Sequence, residues 1–302
     1  MFVVKYRNLF FALSAILIAL SILAMAVFGF NFGIDFKGGT ITEASYAAGR
    51  PDQTALNTAI SKLEYGNFVL QPTGTNNYNL RTRELNKDEK EAVLATLTLD
   101  HKYTPVIERY DSIGPVVGAE LKNKAVTSII VVIVCIVLFI TYAFRKVSEP
   151  VASWKFGLAT IIALLHDVLI PTGIFLIYIH FTKGEIDILF VSAVLSVLGY
   201  SVHDTIVVFD RVREHLRINK EEKNKESFDI TVGKSVSETF GRSINTSLTI
   251  FLVLLVLFFV GGSTTKDFAF VLLIGVLVGT YSSIFVASPL LVVFEKMQNK
   301  AK

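Results

Sequence analysis

Residues Tyr200–Leu216 read YSVHDTIVVFDRVREHL, an apolar run that ends in a charged segment. Asp204 lies inside the apolar part, because three apolar residues at 207–209 still follow it before Asp210. An ionised carboxylate in hydrocarbon is costly, so such a residue normally faces a protein interior or a hydrated cavity and has a partner. The segment therefore predicts a membrane helix with a buried acid whose partner lies elsewhere in the chain.

The composition of the whole chain also indicates a membrane protein. Its 302 residues are 52% hydrophobic and only 18% charged, and the mean hydropathy is +0.55. A soluble globular domain has about 25% charged residues. The formal net charge of +3 is small, so the placement of the charges carries more information than their sum. The single cysteine, Cys135, allows no intrachain disulfide.

Six apolar stretches are long enough to cross a bilayer, which needs about 20 residues for a helix. They are predicted at Leu9–Phe28, Ala125–Phe144, Phe156–Ile179, Ile188–Phe209, Ile244–Val260 and Phe268–Phe294. The first stretch is too long for the apolar core of a usual signal peptide and has no clear cleavage site, which predicts a retained signal anchor. The fifth is short and is expected to extend towards the cytosol through Arg242.

Charge placement predicts the topology of these spans. Connections on one side of the membrane carry clusters of basic residues, whereas the short loops on the other side hold only Lys183 and Lys266. The first set comprises Lys5, Arg7, Arg145, Lys146, Lys155, Arg211, Arg213, Arg217, Lys220, Lys223, Lys225, Lys234, Lys296, Lys300 and Lys302. By the positive-inside rule, from which long loops are exempt, the first side is cytosolic. Both termini are therefore predicted to lie in the cytosol.

The predicted organisation has four parts. Residues 1–30 hold the N-terminal segment and the first membrane helix. Residues 31–124 form an extracytoplasmic domain with its linkers. Residues 125–294 hold the other five membrane helices, including a cytosolic loop at about 210–235, and residues 295–302 form a cytosolic tail.

The extracytoplasmic domain is predicted to be a small α+β domain. Its strands and helices are expected in the order βαββαβ, at Ile41–Tyr46, Asp52–Leu63, Phe68–Gln71, Tyr78–Arg83, Asn86–Leu97 and Tyr103–Arg109. This order is typical of a ferredoxin-like sandwich. The stretch GIDFKGGT (33–40) is expected to be a glycine-rich turn that leaves the membrane. No clustered metal ligands and no nucleophile–base pair occur in the domain, which favours a binding or mechanical role.

Two polar faces are predicted inside the membrane. Ser192, Ser196, Tyr200 and Asp204 recur every four residues in the fourth span. Arg242, Asn245, Thr246 and Thr249 have helical spacing in the fifth. A polar face is unlike one that contacts lipid, so each is expected to face a bundle or a hydrated cavity. Helical rise places Asp204 and Arg242 at similar depths, and we expect them to pair.

Structural interpretations stand beside the functional ones. An Asp204–Arg242 pair fits either a proton pathway or the fixing of helix register, and Arg242 also has the length to reach lipid phosphates. His203 either titrates or bonds a neighbouring carbonyl. His166 and Asp167 fit either a proton relay or a structural contact. The sixth span has a small-residue face suited to helix packing, formed by Gly275, Gly279 and Ser283.

The chain resembles the SecF members of the SecD/SecF family, which work beside the bacterial Sec protein-conducting channel. The resemblance runs nearly end to end. It rests on GIDFKGGT (33–40), SIGPVVGAELKNKAV (112–126), LLHDV (164–168), YSVHDTIVVFDRVRE (200–214), ETFGRSINTS (238–247) and GVLVGTYSSIFVASPL (275–290). Any one of these segments alone is a weak signal, whereas together they are specific.

The resemblance implies an auxiliary subunit of the Sec translocase that uses the proton gradient in late steps of protein export. It implies half of a pseudo-symmetric twelve-helix bundle, related to resistance–nodulation–division transporters, with SecD supplying the other half. The expected partners are SecD, the Sec channel, the translocating unfolded polypeptide and the lipid of the cytoplasmic membrane. No nucleic acid, cofactor, metal or catalytic residue is implied. Asp204 would carry the proton with Arg242 as its basic partner, and His203 stands where the family usually has Asn.

Two rival functions are compatible with the same pattern. One is half of a proton-coupled exporter of small molecules or lipids, although roughly 80 residues between the first two spans is small for its outer domain. The other is an assembly subunit that transduces no energy. An intramembrane enzyme is less favoured, because the chain contains no H-E-x-x-H segment and no paired catalytic carboxylates.

Overall fold

The computed structural model describes residues 2–145, 151–224 and 226–300. Lys146, Lys225 and Lys302, which the charge pattern places in the cytosol, lie outside the described residues. The chain divides into two compact units. We call the first the membrane unit, made of Met1–Phe30, Thr127–Gly184 and Leu189–Lys302. The second is the sheet unit, made of Asn31–Val126 and Glu185–Ile188.

The described residues form long helices with one cluster of strands between them. In chain order the elements are α1 (Phe2–Lys5), α2 (Arg7–Phe28), α3 (Ile34–Lys37), β1 (Gly39–Ser45), α4 (Gln53–Ser61), β2 (Val69–Thr73), β3 (Asn77–Thr82), α5 (Lys87–Thr96), β4 (Val106–Ile113), α6 (Pro115–Ala143), α7 (Ser153–Thr182), α8 (Ile188–Glu221), α9 (Phe228–Val260), α10 (Ser263–Ser282) and α11 (Ser288–Lys300). The segment Ser283–Ala287 is a π-helix that joins α10 to α11.

Six helices among the described residues are long and apolar enough to cross a membrane. They are α2, α6, α7, α8, α9 and the continuous stretch Thr265–Gln298. Each predicted span falls on one of them, so the prediction of six spanning helices is confirmed. Most side chains of α2, α6 and α9 face outwards from the unit, whereas α7, α8 and Thr265–Gln298 are largely enclosed.

The predicted cytosolic loop at about 210–235 is largely helical, which corrects the sequence interpretation. The helix α8 continues to Glu221 and α9 begins at Phe228. Neither helix contains proline, so nothing in the backbone forces an end where the apolar run ends. Arg211 also forms an ion pair of 2.5 Å with Glu238, which ties the extended ends of the two helices together.

Aromatic rings fill one part of the core of the membrane unit. Phe144 stacks on Phe156 with ring centroids 5.2 Å apart, and Phe209 packs edge-on against Phe156 at 5.3 Å. All three side chains are nearly inaccessible to solvent. Buried aromatic pairs of this kind add about 0.5–1.5 kcal/mol beyond their buried area. These rings hold the start of α7 against the part of α8 that follows its buried acid.

The sheet unit contains a four-stranded antiparallel sheet in the order β2-β3-β1-β4. The elements follow the predicted chain order, since α4 lies between β1 and β2 and α5 lies between β3 and β4. The helices α4 and α5 both have capped N-termini. Asp52 accepts bonds from the first turn of α4, and Asn86 forms a reciprocal capping box with Glu89 on α5. Leu56 of α4 is fully buried in the core below the sheet.

The segment GIDFKGGT is more ordered than the predicted turn. Its residues Ile34–Lys37 form the single helical turn α3, and Gly38 and Gly39 follow it with φ of +78° and +136°. A Cβ atom on Gly38 would lie 2.7 Å from Cα of Pro115 at the start of α6. Glycine is therefore required here both by the backbone conformation and by the close approach of α6.

The short connection between α7 and α8 belongs to the sheet unit. Ile186 donates its N–H to the carbonyl of Asn31 and accepts a bond from the N–H of Gly33, both at 2.8 Å. Glu185 forms an ion pair of 3.3 Å with Arg81 on β3. Burial raises the pKa of the Glu185 carboxyl, and the charge of Arg81 partly offsets that rise. We call Glu185–Ile188 the strap, because it connects the end of α7 to the start of α8 and is hydrogen-bonded to the glycine segment.

We expect Gly38→Ala to destabilise the chain more than Gly49→Ala. Both glycines have positive φ, so each alanine costs about 1–3 kcal/mol in backbone strain. Only Gly38 also has backbone atoms where the methyl group must go, whereas Gly49 has nothing within 4 Å. Overpacking at Gly38 should cost a further ~1–3 kcal/mol. Thermal unfolding of the purified chain measures the difference, and equal losses would contradict the packing role of Gly38.

Candidate functional site

Asp204 is the centre of the candidate site. It lies on α8 with 6% of its surface exposed. Its Oδ1 atom accepts a hydrogen bond of 2.6 Å from the hydroxyl of Ser243 on α9. Its Oδ2 atom is buried and has no hydrogen-bond partner among the described residues. A proton that binds Oδ2 removes a buried negative charge and leaves the bond from Ser243 in place.

The predicted ion pair between Asp204 and Arg242 does not occur among the described residues. Ser243 occupies the place expected for Arg242, and the side chain of Arg242 is exposed on the outer surface of α9. Successive residues on a helix point about 100° apart. A helix that turns Ser243 towards α8 must therefore turn Arg242 away from it. Equal depth in the membrane is thus not enough for Arg242 and Asp204 to form an ion pair.

The polar face predicted on α9 exists, but it points out of this chain. Arg242, Asn245, Thr246 and Thr249 are all exposed. The hydroxyl of Thr249 donates to the carbonyl of Asn245 at 2.8 Å, so it bonds its own helix rather than a neighbouring one. The inward face of α9 carries Ser243 and other hydroxyl residues instead.

The polar face predicted on α8 is continuous only over part of its length. Ser192 and Ser196 are exposed, Tyr200 is half-buried and Asp204 is buried. A spacing of four residues exceeds one helical turn of 3.6 residues, so the face rotates by about 40° at each step. Over three steps the set winds from the outside of the membrane unit into its interior.

Tyr200 belongs to a cluster of hydroxyl groups that connects three helices. Its Oη atom lies 2.6 Å from the hydroxyl of Ser247 on α9 and 3.3 Å from that of Thr280 on α10. Ser247 and Thr280 are themselves 2.5 Å apart. The cluster holds α8 against α9 and α10 one turn before Asp204, so it helps to position the Asp204 carboxylate.

His166 and Asp167 form a second buried polar group on α7. The Nδ1 atom of His166 lies 2.9 Å from Oδ1 of Asp167. The Oδ2 atom of Asp167 accepts hydrogen bonds from Ser201 on α8 and, at 2.7 Å, from Ser282 at the end of α10.

His203, the residue before Asp204, is by contrast exposed on the surface of α8.

The small residues of the sixth span lie where packing requires them. A Cβ atom on Gly275 would approach Val197 of α8 to 2.1 Å, and one on Gly279 would approach Ser201 to 3.0 Å. Ser283 lies 2.8 Å from the hydroxyl of Thr205. This face therefore brings α10 close to α8, and Ser283 beyond it also donates to the carbonyl of Ser201.

Several serines with a clear role were not singled out from the sequence. Ser201, Ser243 and Ser282 bind the two buried carboxylates directly. Ser288 bonds the carbonyl of Ser283, five residues earlier, and so closes the π-helix. Isolated serines in apolar helices carry a weak signal, because each can bond its own backbone. The adjacent pair Ser282-Ser283 was the sequence feature that could have indicated such a role.

Two family profiles match this chain. The profile of the family described as "Protein export membrane protein SecD/SecF, C-terminal" matches residues 93–297, and the "SecD/SecF GG Motif" profile matches residues 23–47. The first range includes Asp204, Arg242 and Asp167. The second includes Gly38 and Gly39, the two glycines that the fold holds at positive φ.

Individual relatives match over almost the full length. The SecF protein translocase subunit of Thermobaculum terrenum is 39% identical, over 97% of this chain and 93% of that protein. The SecF subunit of Anaerolinea thermophila is 35% identical, over 96% and 92%. The crystal structure of SecDF from Thermus thermophilus, a translocon-associated membrane protein, matches with a TM-score of 0.81 and 29% identity. That match covers 97% of this chain and 38% of the SecDF chain, so this chain spans less than half of it. The chain thus belongs to the SecD/SecF family of protein export membrane proteins and groups with its SecF subunits.

Proposed function

We propose that this chain works with a SecD subunit in the Sec translocase and couples proton movement across the cytoplasmic membrane to late steps of protein export. The observation that carries the proposal is Asp204. One of its oxygens is held by Ser243, and the other is buried without a hydrogen-bond partner among the described residues. A carboxylate in this setting on a membrane helix is the kind of group that marks a proton path.

The proton step takes place at Oδ2 of Asp204. Uptake from one side of the membrane neutralises the carboxylate, and release on the other side restores its charge. A charge that crosses 100 mV is worth about 2.3 kcal/mol, and each pH unit adds about 1.4 kcal/mol. One proton can therefore shift a two-state equilibrium by tens-fold or more. The two states would differ in how tightly α8 and α9 pack around Asp204.

Arg242 serves the same path from the outward face of α9. Together with Asn245 and Thr246 it offers a guanidinium, an amide and a hydroxyl at a surface where lipid would leave them unsatisfied. A polar face of this kind favours contact with another protein helix over contact with lipid. SecD is the partner that the family supplies, so the proposed relay has Asp204 inside this chain and Arg242 at the boundary with SecD. His203, also exposed, lies on the neighbouring helix.

Motion reaches the sheet unit through three chain connections. These are the glycine segment after α2, the start of α6 near Gly118, and the strap between α7 and α8. The strap is joined to the glycine segment by backbone hydrogen bonds, so two of the three act on one structure. A shift of α7 relative to α8 would then pull on the sheet unit from both ends of the strap.

In this proposal both termini lie in the cytosol and the sheet unit lies outside it, which the basic connections of the membrane unit support by the positive-inside rule. The element and strand order of the sheet unit supports a ferredoxin-like sandwich within residues 31–124. In this position it would contact the unfolded polypeptide as it leaves the Sec channel.

Asp204→Asn should abolish the stimulation of protein translocation by the proton gradient. The amide preserves the shape of the side chain and the acceptor for Ser243, but it does not titrate. Translocation into inverted membrane vesicles that contain the chain with SecD, with and without a gradient, measures the effect. Asp210→Asn is the matched control, because Asp210 is on the same helix but is exposed and paired with Arg213. Gradient stimulation at the wild-type level in the Asp204 variant would exclude this proton role.

A photoreactive amino acid at Thr246 should cross-link to SecD in native membranes. The same residue at Ile244 should cross-link several-fold less to SecD, because Ile244 points to a different side of α9. Both positions are exposed on this chain, so a difference between them reports on the neighbour rather than on access. Equal yields, or cross-links from Thr246 to lipid alone, would show that the polar face of α9 meets something other than SecD.

A further inference from the structure

The buried pair His166 and Asp167 has no part in the proposed path through Asp204. His166 is 1% exposed and Asp167 is fully buried. The pair lies on α7, and its contacts reach α8 and α10. Such a group in the middle of a membrane helix needs an explanation of its own, because an uncompensated charge there is costly.

We assign the negative charge of the pair to Asp167 and the ring hydrogen to Nδ1 of His166, because two serine hydroxyls donate to the carboxyl group. Oδ2 accepts from the hydroxyls of Ser201 and Ser282, and Oδ1 lies 2.9 Å from Nδ1 of His166. A carboxylate has only acceptors to offer, and three donors around two oxygens satisfy it well. In this arrangement Nδ1 of His166 carries a hydrogen. A neutral imidazole of that tautomer has a free lone pair on Nε2.

The Nε2 atom of His166 is the open position of the pair. It is buried and has no hydrogen-bond partner among the described residues. The ring of Tyr281 stacks on the imidazole at 5.9 Å. The hydroxyl of Tyr281 is used elsewhere, since it donates to the carbonyl of Phe10 at 2.9 Å and accepts from Ser14.

The neighbours of this ring include one carboxyl group in hydrogen-bond contact, that of Asp167. The titratable groups that contact the imidazole are Asp167 and Tyr281, and α8 adds Asp204 one turn from Ser201. Among the described residues, the only ion-pair partner of Asp167 is His166 itself. With a neutral ring the pair carries one uncompensated negative charge in the core of the membrane unit. A protonated ring cancels that charge within hydrogen-bond distance.

We propose that Nε2 of His166 is a second proton-binding site of the membrane unit. A hydronium ion transfers its proton to Nε2, so that one O–H bond breaks, one N–H bond forms and a water molecule leaves; the pair changes from a net charge of −1 to an imidazolium–carboxylate pair of net charge zero. No other bond forms or breaks, and release reverses the step. The site is independent of whether Asp204 carries the proton proposed above.

The position of the pair gives this site a structural consequence. Asp167 holds Ser201 three residues before Asp204 on α8, and it holds Ser282 immediately before the π-helix at Ser283–Ala287. The charge of the pair therefore acts on the point where α7, α8 and α10 meet. Irregular turns of the π type are often found at functional positions in helices.

Nitrogen NMR of the chain with its SecD partner in lipid nanodiscs tests the proposal directly. The chain has five histidines, and the signal of His166 is identified as the one that His166→Asn removes. If that variant does not fold, a variant with glutamine at the other four positions assigns it instead. We expect Nε2 of His166 to change from the lone-pair form to the N–H form as pH falls. A ring that keeps one protonation state throughout the titration would overturn the proposal.

Two variants separate this site from the path through Asp204. In Asp204→Asn the titration of His166 should persist, so a failure at Asp204 leaves the inference standing. His166→Asn places an amide N–H where Nδ1–H is, and it removes Nε2 together with ring atoms that stack on Tyr281. We expect a lower unfolding temperature and, at temperatures where the variant stays folded, gradient-stimulated translocation reduced several-fold. Wild-type stimulation in this variant would contradict a role of the second proton in coupling.

Discussion

The structure depends on the cost of placing a carboxylate inside a membrane bundle. Asp204 and Asp167 are both buried, and neither is paired with arginine or lysine among the described residues. One oxygen of each acid is held by serine hydroxyls from neighbouring helices: Oδ1 of Asp204 by Ser243, and Oδ2 of Asp167 by Ser201 and Ser282. Serine suits this purpose because it can bond either a neighbouring acid or its own backbone. An acid held by neutral donors can gain and lose a proton, whereas one paired with a permanent cation is held in its charged form.

These hydroxyls reach the acids only because the helices approach closely. Gly275 and Gly279 remove side chains where α10 crosses α8, and the π-helix at Ser283–Ala287 changes the direction of the following residues. Without this close approach Thr280 would not reach Tyr200, and Ser283 would not reach Thr205. The small-residue face is therefore more than packing, because it sets the distances at which these polar groups meet.

The two compact units are linked through short, well-defined segments. The glycine segment needs its positive φ angles and its contact with Pro115, and the strap is bonded to that segment by main-chain groups. Main-chain bonds of this kind depend little on side-chain identity, which makes the linkage a property of the fold. Under the proposed function, a membrane event at α7 and α8 would act on the strap, and the polar outer face of α9, which is exposed, would be the surface that meets SecD.

The sequence by itself determined the six helices that are long and apolar enough to span a membrane and the β-α-β-β-α-β order, because periodicity and length are local properties. It also located Asp204 as the acid of interest. It could not decide that Arg242 faces outwards while Ser243 faces Asp204, since a rotation of about 100° about the helix axis is fixed only by the neighbouring helices. Likewise, the helical ends that replaced the expected loop depend on ion pairs between α8 and α9. Only the tertiary structure decided which hydroxyls meet which carboxylates, because those contacts join residues far apart in the chain.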